Sequence, residues 1–462
     1  MEGTLIETRM ATERAFLIGV DWERDGWDIG SSMAELAQLA RSAGLAVVGM
    51  LTQRLPHPHQ SHYLGAGKLE ELKARQAITP YDVVLVNDEL SPAQLRTLED
   101  ELGVKVIDRT ALILDIFARR AQTREGRLQV ELAQLEYRLP RLTRMWTHLS
   151  RQAVGGVGLR GPGETQLEID RRRARQRITQ LRREIAEVRA HRERYRQRRR
   201  QNQMPVIALV GYTNAGKSTL LNALAGSDVY VADKLFATLD PTTRRVTLPS
   251  GRVVLLTDTV GFIHRLPTML VAAFRATLEE ILEARVLVHV VDITHPRAAE
   301  QAATVRQVLA ELGAAHYPTL TVLNKIDGIE PNLSPEELVR EFDLDGDVVP
   351  VSALKGTGLP LLLERLEAKL MEAERVREVT LVLPYDQVRM LHLFHERGHV
   401  EDVSYLPYGV RVRGRFPAYL LASLIPQLHP VVEREGQRRP IERMNRYESH
   451  IPSPQPFPKH SV

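Results

Sequence analysis

Residues 211–218 have the composition and context of a phosphate-binding loop. They are Gly211, Tyr212, Thr213, Asn214, Ala215, Gly216, Lys217 and Ser218, and they match the pattern GxxxxGK[ST] between an apolar run and a helical pattern. In such a loop, successive backbone N–H groups surround a phosphate, and the helix dipole strengthens the attraction. We predict that Lys217 reaches the β and γ phosphates and that the Ser218 hydroxyl binds Mg²⁺. The motif indicates a nucleotide phosphate but does not select the base.

A second group of polar residues predicts guanine as the base. Asn324, Lys325 and Asp327 follow the apolar run Leu320–Leu323, and ligands of open α/β sheets bind at the carboxyl ends of strands. A carboxylate at Asp327 can accept from both N1–H and the 2-amino group of guanine, whereas adenine has neither donor. Leaving a buried carboxylate unpaired is costly, so we expect strong discrimination.

Three further residues are expected around the base, namely Ser352, Ala353 and Leu354, which follow another apolar run. The Ala353 N–H is expected to donate to guanine O6. Asn324 is expected to fix the edge of the ring, and the aliphatic part of Lys325 to cover its face. An NKxD sequence alone is weak evidence, but its position after a phosphate loop makes it strong.

Two segments between these motifs are expected to sense the γ-phosphate. The first contains Phe236, Ala237, Thr238, Leu239 and Asp240, and the second contains Asp258, Thr259, Val260 and Gly261. Thr238 is predicted as the second protein ligand of Mg²⁺, with Thr242 and Thr243 as alternatives, while Asp258 holds the ion through water. Such segments relax when the γ-phosphate leaves. Lys217, Thr238 and Gly261 are therefore the predicted catalytic residues.

Phe262 and Asn214 refine the expected chemistry. Phe262 follows Gly261, where Ras-like enzymes have a water-orienting glutamine, and a phenyl ring cannot hydrogen-bond the attacking water. We therefore expect slow hydrolysis by the protein alone, with the missing groups supplied by a partner or a rearranged loop. Asn214 resembles the asparagine of potassium-dependent GTPases, which makes K⁺ a candidate cofactor beside Mg²⁺.

The elements that position these residues are expected in an α/β fold. Residues 1–110 alternate helical patterns with four apolar runs, which predicts a small parallel sheet covered by helices. The runs are Ala15–Val20, Leu45–Leu51, Val83–Val86 and Val104–Ile107. Residues 204–372 hold the nucleotide motifs in a second α/β domain, whose sheet is expected to be mostly parallel.

The remaining regions are expected to be an arm, a small domain and a tail. Residues 111–203 carry heptad-spaced apolar residues, typical of two helices paired as a coiled-coil hairpin, around the glycine-rich loop 154–163. Residues 376–437 are typical of a small α+β domain. Residues 438–462 have the composition of a disordered tail.

One basic segment is hidden by the near-neutral charge of the whole chain. The formal net charge is +4, yet residues 171–200 contain 14 Arg and 3 Glu, a local charge of +11 against −7 elsewhere. Arginine binds phosphate bidentately, and only one aromatic residue, Tyr195, lies in the segment, which favours contact with an RNA backbone over base stacking. A solvated helix face is the alternative. RNA binding of this kind weakens steeply with salt.

The composition excludes several classes of protein. The chain has no cysteine, which excludes disulfide scaffolds, cysteine-ligated metals and thiol nucleophiles. No secretory signal is visible at the N-terminus, and no apolar stretch approaches the roughly 18 residues of a spanning helix. We therefore expect a cytoplasmic protein without a membrane span, and we separately expect a monomer.

The chain resembles the HflX-type GTPases of the Obg–HflX group of translational GTPases. In the nucleotide region the similar strings are GYTNAGKSTLLNAL, LFATLDPTTR, DTVGFI and NKID. More specific are RTALILDIFARRAQTREGRLQVELAQLEYRLPRL and GVGLRGPGETQLEIDRR in the arm, together with YLGAGKLEEL in the first domain. The resemblance covers roughly residues 10–372.

This resemblance implies a cytoplasmic hydrolase of GTP that binds the large ribosomal subunit, with its N-terminal region and arm facing ribosomal RNA. It also implies a role in splitting or rescuing stalled ribosomes, or in their assembly. The alternative is a GTPase scaffold or signalling switch whose arm binds protein. A P-loop ATPase or small-molecule kinase is disfavoured by the NKID sequence. Some family members hydrolyse ATP through the N-terminal domain, but residues 1–110 contain no second GxxxxGK[ST] motif.

Overall fold

The structure is a computed structural model, and it describes part of the chain. The described residues are 12–22, 28–144, 162–201, 204–226, 235–236, 238–264, 280–329, 347–374, 376–417 and 420–421. The chain divides into two compact units, Met1–Leu370 and Met371–Val462. In the described parts of both units, we find no helix with the length and hydrophobicity needed to cross a bilayer.

The first sheet is four-stranded and entirely parallel, in the order β2-β1-β3-β4. Its strands are β1 (Arg14–Asp21), β2 (Ala46–Arg54), β3 (Val83–Val86) and β4 (Lys105–Asp108), and its helices are α1 (Ile29–Ser42), α2 (Ala66–Ile78) and α3 (Pro92–Leu102). The predicted alternation of strand and helix is confirmed. Nearly every residue of β1 and β3 is buried, as expected for parallel strands covered on both faces.

The ends of α3 show how local sequence sets these boundaries. The Gln94 N–H donates to the Ser91 side chain, and the Ser91 N–H donates to the Gln94 side chain, which forms a capping box. Pro92 occupies the first turn, where its missing N–H has no consequence. Gly103 ends the helix in the left-handed region, at a φ of 64°.

The arm consists of two packed helices that follow α4 (Arg109–Arg120). They are α5 (Arg124–Arg138), which continues as a 3-10 helix over Leu139–Arg144, and α6 (Pro162–Gln201). Leu128, Leu181 and Ile185 form a buried cluster between α5 and α6, as the apolar spacing predicts. Most of the glycine-rich loop lies outside the described residues. Its predicted end at Gly163 is wrong, because α6 begins at Pro162, a residue type suited to a first helical position.

The second sheet has six strands in the order β10-β9-β8-β5-β7-β6. They are β5 (Val206–Gly211), β6 (Thr242–Thr247), β7 (Val253–Asp258), β8 (Val286–Asp292), β9 (Thr319–Asn324) and β10 (Val348–Pro350), with helices α7 (Lys217–Ala225), α8 (Ala298–Glu311) and α9 (Leu359–Ala373). Only the pairing of β6 with β7 is antiparallel among the described strands of this sheet. The predicted mostly parallel sheet is confirmed.

One hydrophobic core joins the first sheet, α4, α5 and the second sheet. It includes Leu17 of β1 and Phe117 of α4, together with Phe236, Leu239 and Phe262 of the nucleotide motifs. The segments predicted to sense the γ-phosphate therefore pack against the N-terminal part of the chain.

The second unit is a small α+β domain, as predicted. An antiparallel sheet in the order β11-β13-β12 is formed by β11 (Arg377–Leu383), β12 (His399–Leu406) and β13 (Gly409–Phe416). Between β11 and β12 lie a 3-10 helix, Tyr385–Met390, and the helix α10 (Leu391–Arg397) that continues it. The predicted tail, 438–462, lies outside the described residues.

Candidate nucleotide-binding site

A cavity of about 480 Å³ opens where β5, β8, β9 and β10 end, a size that suits a nucleotide. Most of the predicted site residues line it. They are Thr213, Asn214, Gly216, Lys217, Ser218, Phe236, Thr238, Thr259, Gly261, Asn324, Lys325, Asp327, Ala353 and Leu354.

The phosphate loop turns sharply between β5 and α7. Lys217 Nζ donates to the backbone oxygens of Gly211 and Tyr212, at 3.1 and 2.7 Å. Burial lowers the pKa of Lys217 to about 8, and a phosphate beside it would favour the charged form again. Gly216 has a φ of 92°, and a Cβ there would lie 2.2 Å from Asn324 Nδ2. Glycine is therefore required at this position, where the loop meets the base-binding motif.

Three oxygen-bearing side chains converge beside Lys217. Ser218 Oγ lies 2.8 Å from Thr238 Oγ1, and both hydroxyls donate to Asp258 Oδ2, at 2.6 and 2.9 Å. Burial raises the pKa of Asp258, whose Oδ1 has no hydrogen-bond partner in the described part of the chain. Hydroxyl and carboxylate oxygens are hard ligands of the kind Mg²⁺ prefers. The donor set therefore fits the ion.

The two alternative threonines lie elsewhere. Thr242 and Thr243 begin β6, and Thr243 Oγ1 lies 3.0 Å from Thr257 Oγ1 across the β6–β7 pair. Thr242 is the backbone partner of Asp258 in the same pair of strands, but it is the Thr238 hydroxyl that lies within hydrogen-bond distance of both Ser218 and Asp258.

The base-binding motif is tied to the phosphate loop. Asn324 Nδ2 donates to the Ala215 backbone oxygen at 2.9 Å, and Ser352 Oγ donates to Asp327 Oδ1 at 2.6 Å. The hydrogen bond from Ser352 holds the pKa of Asp327 below its ordinary value. Asp327 therefore stays ionised at neutral pH and can accept from guanine.

Two expectations at the base need correction. Asp327 is exposed, so the argument from a buried carboxylate holds only once a base covers it. The Ala353 N–H, expected to donate to guanine O6, donates instead to Asn324 Oδ1 at 3.0 Å. Lys325 Nζ lies 2.6 Å from Asp292 Oδ2, which leaves its aliphatic part along the cavity. Leu354 is 78% exposed beside the same cavity.

Several predicted residues lie behind the cavity wall. Gly211, Ala215, Asp258 and Ser352 contact lining residues, as described above. Leu239 and Val260 are buried in the shared core, and Tyr212 and Asp240 contact the N-terminal part of the chain. Ala237 lies outside the described residues.

Three lining residues were missed from the sequence, namely Thr219, Thr294 and Gly328. Thr219 directly follows the phosphate-loop motif, and Gly328 directly follows Asp327. Thr294 lies two positions after the end of β8, and its place at the carboxyl end of a central strand was the available indication.

Phe262 is held by its backbone on the phosphate loop. Its N–H donates to Gly211 O at 3.1 Å, and its carbonyl accepts from the Thr213 N–H at 2.8 Å. The ring is 2% exposed and packs in the shared core, and it is not part of the cavity wall. No hydrogen-bonding side chain of residue 262 is therefore available to a water molecule in the cavity.

A buried polar network lies beneath the phosphate loop. Tyr212 Oη donates to Glu35 of α1, and Arg109 of α4 donates to the same carboxylate. Arg109 also donates to the backbone oxygen of His264 at 3.1 Å, and the His264 N–H donates to Tyr212 Oη at 2.8 Å. The network joins the N-terminal region to both ends of the segment Tyr212–His264.

Three family models match consecutive parts of the chain. They describe a GTP-binding GTPase N-terminal region (30–118), a GTP-binding GTPase middle region (120–199) and a 50S ribosome-binding GTPase (206–325). A crystal structure of a GTP-binding protein from Sulfolobus solfataricus in complex with GDP is 26% identical, with a TM-score of 0.43, over 78% of this chain and 99% of that one.

Curated relatives match over most of their length. The GTPase HflX of Caldanaerobacter subterraneus subsp. tengcongensis is 49% identical over 401 residues, which cover 87% of this chain and 90% of that protein. The GTPase HflX of Escherichia coli K12 is 45% identical over 391 residues, which cover 85% and 90%. With this identity over nearly the whole of both relatives, the chain belongs to the HflX family of GTPases, and it binds and hydrolyses GTP.

Proposed function

We propose that this GTPase acts on the large ribosomal subunit, in splitting or rescue of ribosomes or in their assembly, and therefore in the cytoplasm. The observation that carries the proposal is the surface of α6. Arg172, Arg173, Arg175 and Arg183 are exposed there, and in the described part of the chain Arg172 and Arg175 form no ion pair. The match of residues 206–325 to a 50S ribosome-binding GTPase supports the same partner.

Part of the basic charge is neutralised within the arm. Arg177 and Arg182 pair with Glu131 and Glu136 of α5, at 2.7 and 2.8 Å. Counting only the glutamates of the segment 171–200 therefore overstates the charge of the arm. The exposed arginines that remain suit an RNA backbone, because a guanidinium binds phosphate bidentately.

In the proposed reaction, Ser218 and Thr238 would hold Mg²⁺, assisted by Asp258. The chemistry supplied by the ion would be neutralisation of the negative charge that develops between the β and γ phosphates. Lys217 stabilises the same charge, and the Gly261 N–H contacts the γ-phosphate. Asn214 is exposed and lines the cavity, where its carbonyl would help to bind K⁺.

We expect slow hydrolysis of GTP by the isolated protein, because the Phe262 ring packs in the core and offers no hydrogen bond to water. Purified large subunits should raise kcat by at least about tenfold, which corresponds to about 1.4 kcal/mol of activation free energy. Phosphate release under steady-state conditions measures both rates. Equal rates with and without the subunit would contradict the expectation, and small subunits serve as the control.

Cosedimentation tests the proposed partner. We expect the protein to pellet with large subunits in the presence of a non-hydrolysable GTP analogue, less so with GDP, and to dissociate as salt rises. Replacing Arg172, Arg173 and Arg175 with glutamine should weaken the association, whereas Arg415→Gln, which alters an ion pair in the second unit, should not. Salt-insensitive binding, or binding of a protein partner alone, would favour the alternative of a scaffold or signalling GTPase.

A further inference from the structure

Asp240, two residues after Thr238, is bound to the beginning of the arm. Its Oδ2 accepts from the backbone N–H groups of Gln122 and Thr123, both at 2.8 Å, and its Oδ1 accepts from Thr123 Oγ1 at 2.5 Å. Thr123 Oγ1 also accepts from the Gly126 N–H at 3.0 Å and so caps α5. One carboxylate therefore joins the segment that carries Thr238 to the first turn of α5.

The first turn of α5 is shaped around this carboxylate. A Cβ at Gly126 would lie 2.5 Å from Asp240 Oδ1, so any side chain there would force the Asp240 carboxylate to shift. A carboxylate at a helix N-terminus is also favoured by the helix dipole. The contact is therefore built by Gln122, Thr123 and Gly126 together with Asp240.

The residues that precede Thr238 are also attached to the N-terminal region. Phe236 has a φ of 56°, which is unfavourable for a bulky residue and persists only where packing enforces it. Its ring packs edge-on against Phe117 of α4, with centroids 4.6 Å apart. The Leu235 N–H donates to Ser42 Oγ of α1 at 3.1 Å. Thr238 thus lies between two attachments to helices outside the second sheet.

We propose that Asp240 and Thr123 are positioning residues, which hold Thr238 within reach of Ser218 and Asp258 before GTP binds. Ordering a free segment on binding costs conformational entropy, and the attachment to α5 reduces that cost for the triphosphate. GDP lacks the γ-phosphate and gains nothing from an ordered Thr238. The inference rests on the proposed role of Thr238 as the ligand that responds to the γ-phosphate.

The same coupling acts in the opposite direction. If the cap of α5 strengthens binding of the triphosphate, the triphosphate must strengthen the cap by the same factor. Hydrolysis then loosens the contact between the segment 238–240 and the arm. The arm would respond to the nucleotide through Thr123 and Gly126, without a second nucleotide site.

The test compares dissociation constants for a non-hydrolysable GTP analogue and for GDP, both measured in Mg²⁺ by fluorescence titration. Asp240→Ala should weaken binding of the analogue by about tenfold, within the usual range of coupling between sites, and leave binding of GDP unchanged. Thr123→Val should have the same selectivity with a smaller effect, because the backbone donors remain. An equal loss for both nucleotides, or no loss for either, would overturn the proposal.

Asp82→Ala is the matched control. Asp82 also accepts three hydrogen bonds, from the backbone N–H and the guanidinium of Arg14, but it lies in the first α/β region. This variant should bind both nucleotides as the unchanged protein does. If this control bound the analogue ten times more weakly, removing an unrelated carboxylate would have the same effect as removing that of Asp240. That result would overturn the assignment to Asp240.

Two further measurements separate this inference from the proposed role of Thr238. The amide hydrogens of Gln122 and Thr123 should exchange more slowly with the analogue than with GDP, and this difference should vanish in Asp240→Ala. The unchanged protein should bind the analogue more tightly than GDP, and Thr238→Ala should lose this preference. If Thr238→Ala keeps the preference for the analogue, the proposed role of Thr238 is wrong. If Asp240→Ala keeps it and Thr238→Ala does not, the positioning role of Asp240 is wrong and the role of Thr238 stands.

Discussion

Replacing Asp327 with asparagine is expected to lower the affinity for GTP by about 10²- to 10⁴-fold, since a hydrogen bond to a charged group contributes about 1.5–3 kcal/mol and two are lost or weakened. The carboxylate can accept from guanine N1–H and from the 2-amino group together. The amide of asparagine presents a donor to the 2-amino group instead, and two donors then face each other. Affinity for xanthosine triphosphate should rise, because xanthine carries a carbonyl at that position.

Competition titrations with GTP and xanthosine triphosphate measure the change in selectivity. Asp347→Asn is the matched control, because Asp347 is an exposed carboxylate paired with Lys369 at 2.9 Å and lies outside the cavity. The control should retain the preference for GTP. Unchanged selectivity in Asp327→Asn would remove the guanine assignment, since no other carboxylate among the described cavity-lining residues could replace Asp327.

The parts of the site that could be predicted from the sequence are those made by neighbours in the chain. Lys217 and Ser218 belong to one loop, whose backbone path follows from the spacing of its glycines. The parallel sheets were likewise predictable, because buried central strands leave continuous apolar runs. In both cases, the physical constraint acts over a few consecutive residues.

The directions of side chains within a motif could not be predicted in the same way. Asp240 and Tyr212 were expected near the nucleotide, but their partners, Thr123 and Glu35, are separated from them by 117 and 177 positions. Thr238 was predicted ahead of Thr242 and Thr243, but the sequence alone did not exclude these alternatives, because they are excluded only by where β6 begins. Such contacts depend on the docking of whole elements and leave no periodic pattern in the sequence.

The buried pair of Glu35 and Arg109 gives the other large expected effect. Arg109→Met should destabilise the unit Met1–Leu370 by about 3–5 kcal/mol, because it leaves the Glu35 carboxylate buried without its cation. The two side chains are 10% and 3% exposed, so the pair is shielded from bulk solvent. Tyr212→Phe should cost less, about 1–3 kcal/mol, since it removes one hydroxyl and leaves the ion pair intact.

Urea unfolding followed by tryptophan fluorescence measures the effect, since all three tryptophans, at positions 22, 27 and 146, belong to that unit. Arg14→Met, which breaks an exposed ion pair, should change stability little. The double variant Glu35→Leu with Arg109→Met should be more stable than Arg109→Met alone, because it removes the uncompensated charge. If the double variant instead lost as much free energy of unfolding as the two single variants together, the loss would come from packing. The polar network would then stabilise the contact between the N-terminal region and the phosphate loop through side-chain packing and not through charge pairing.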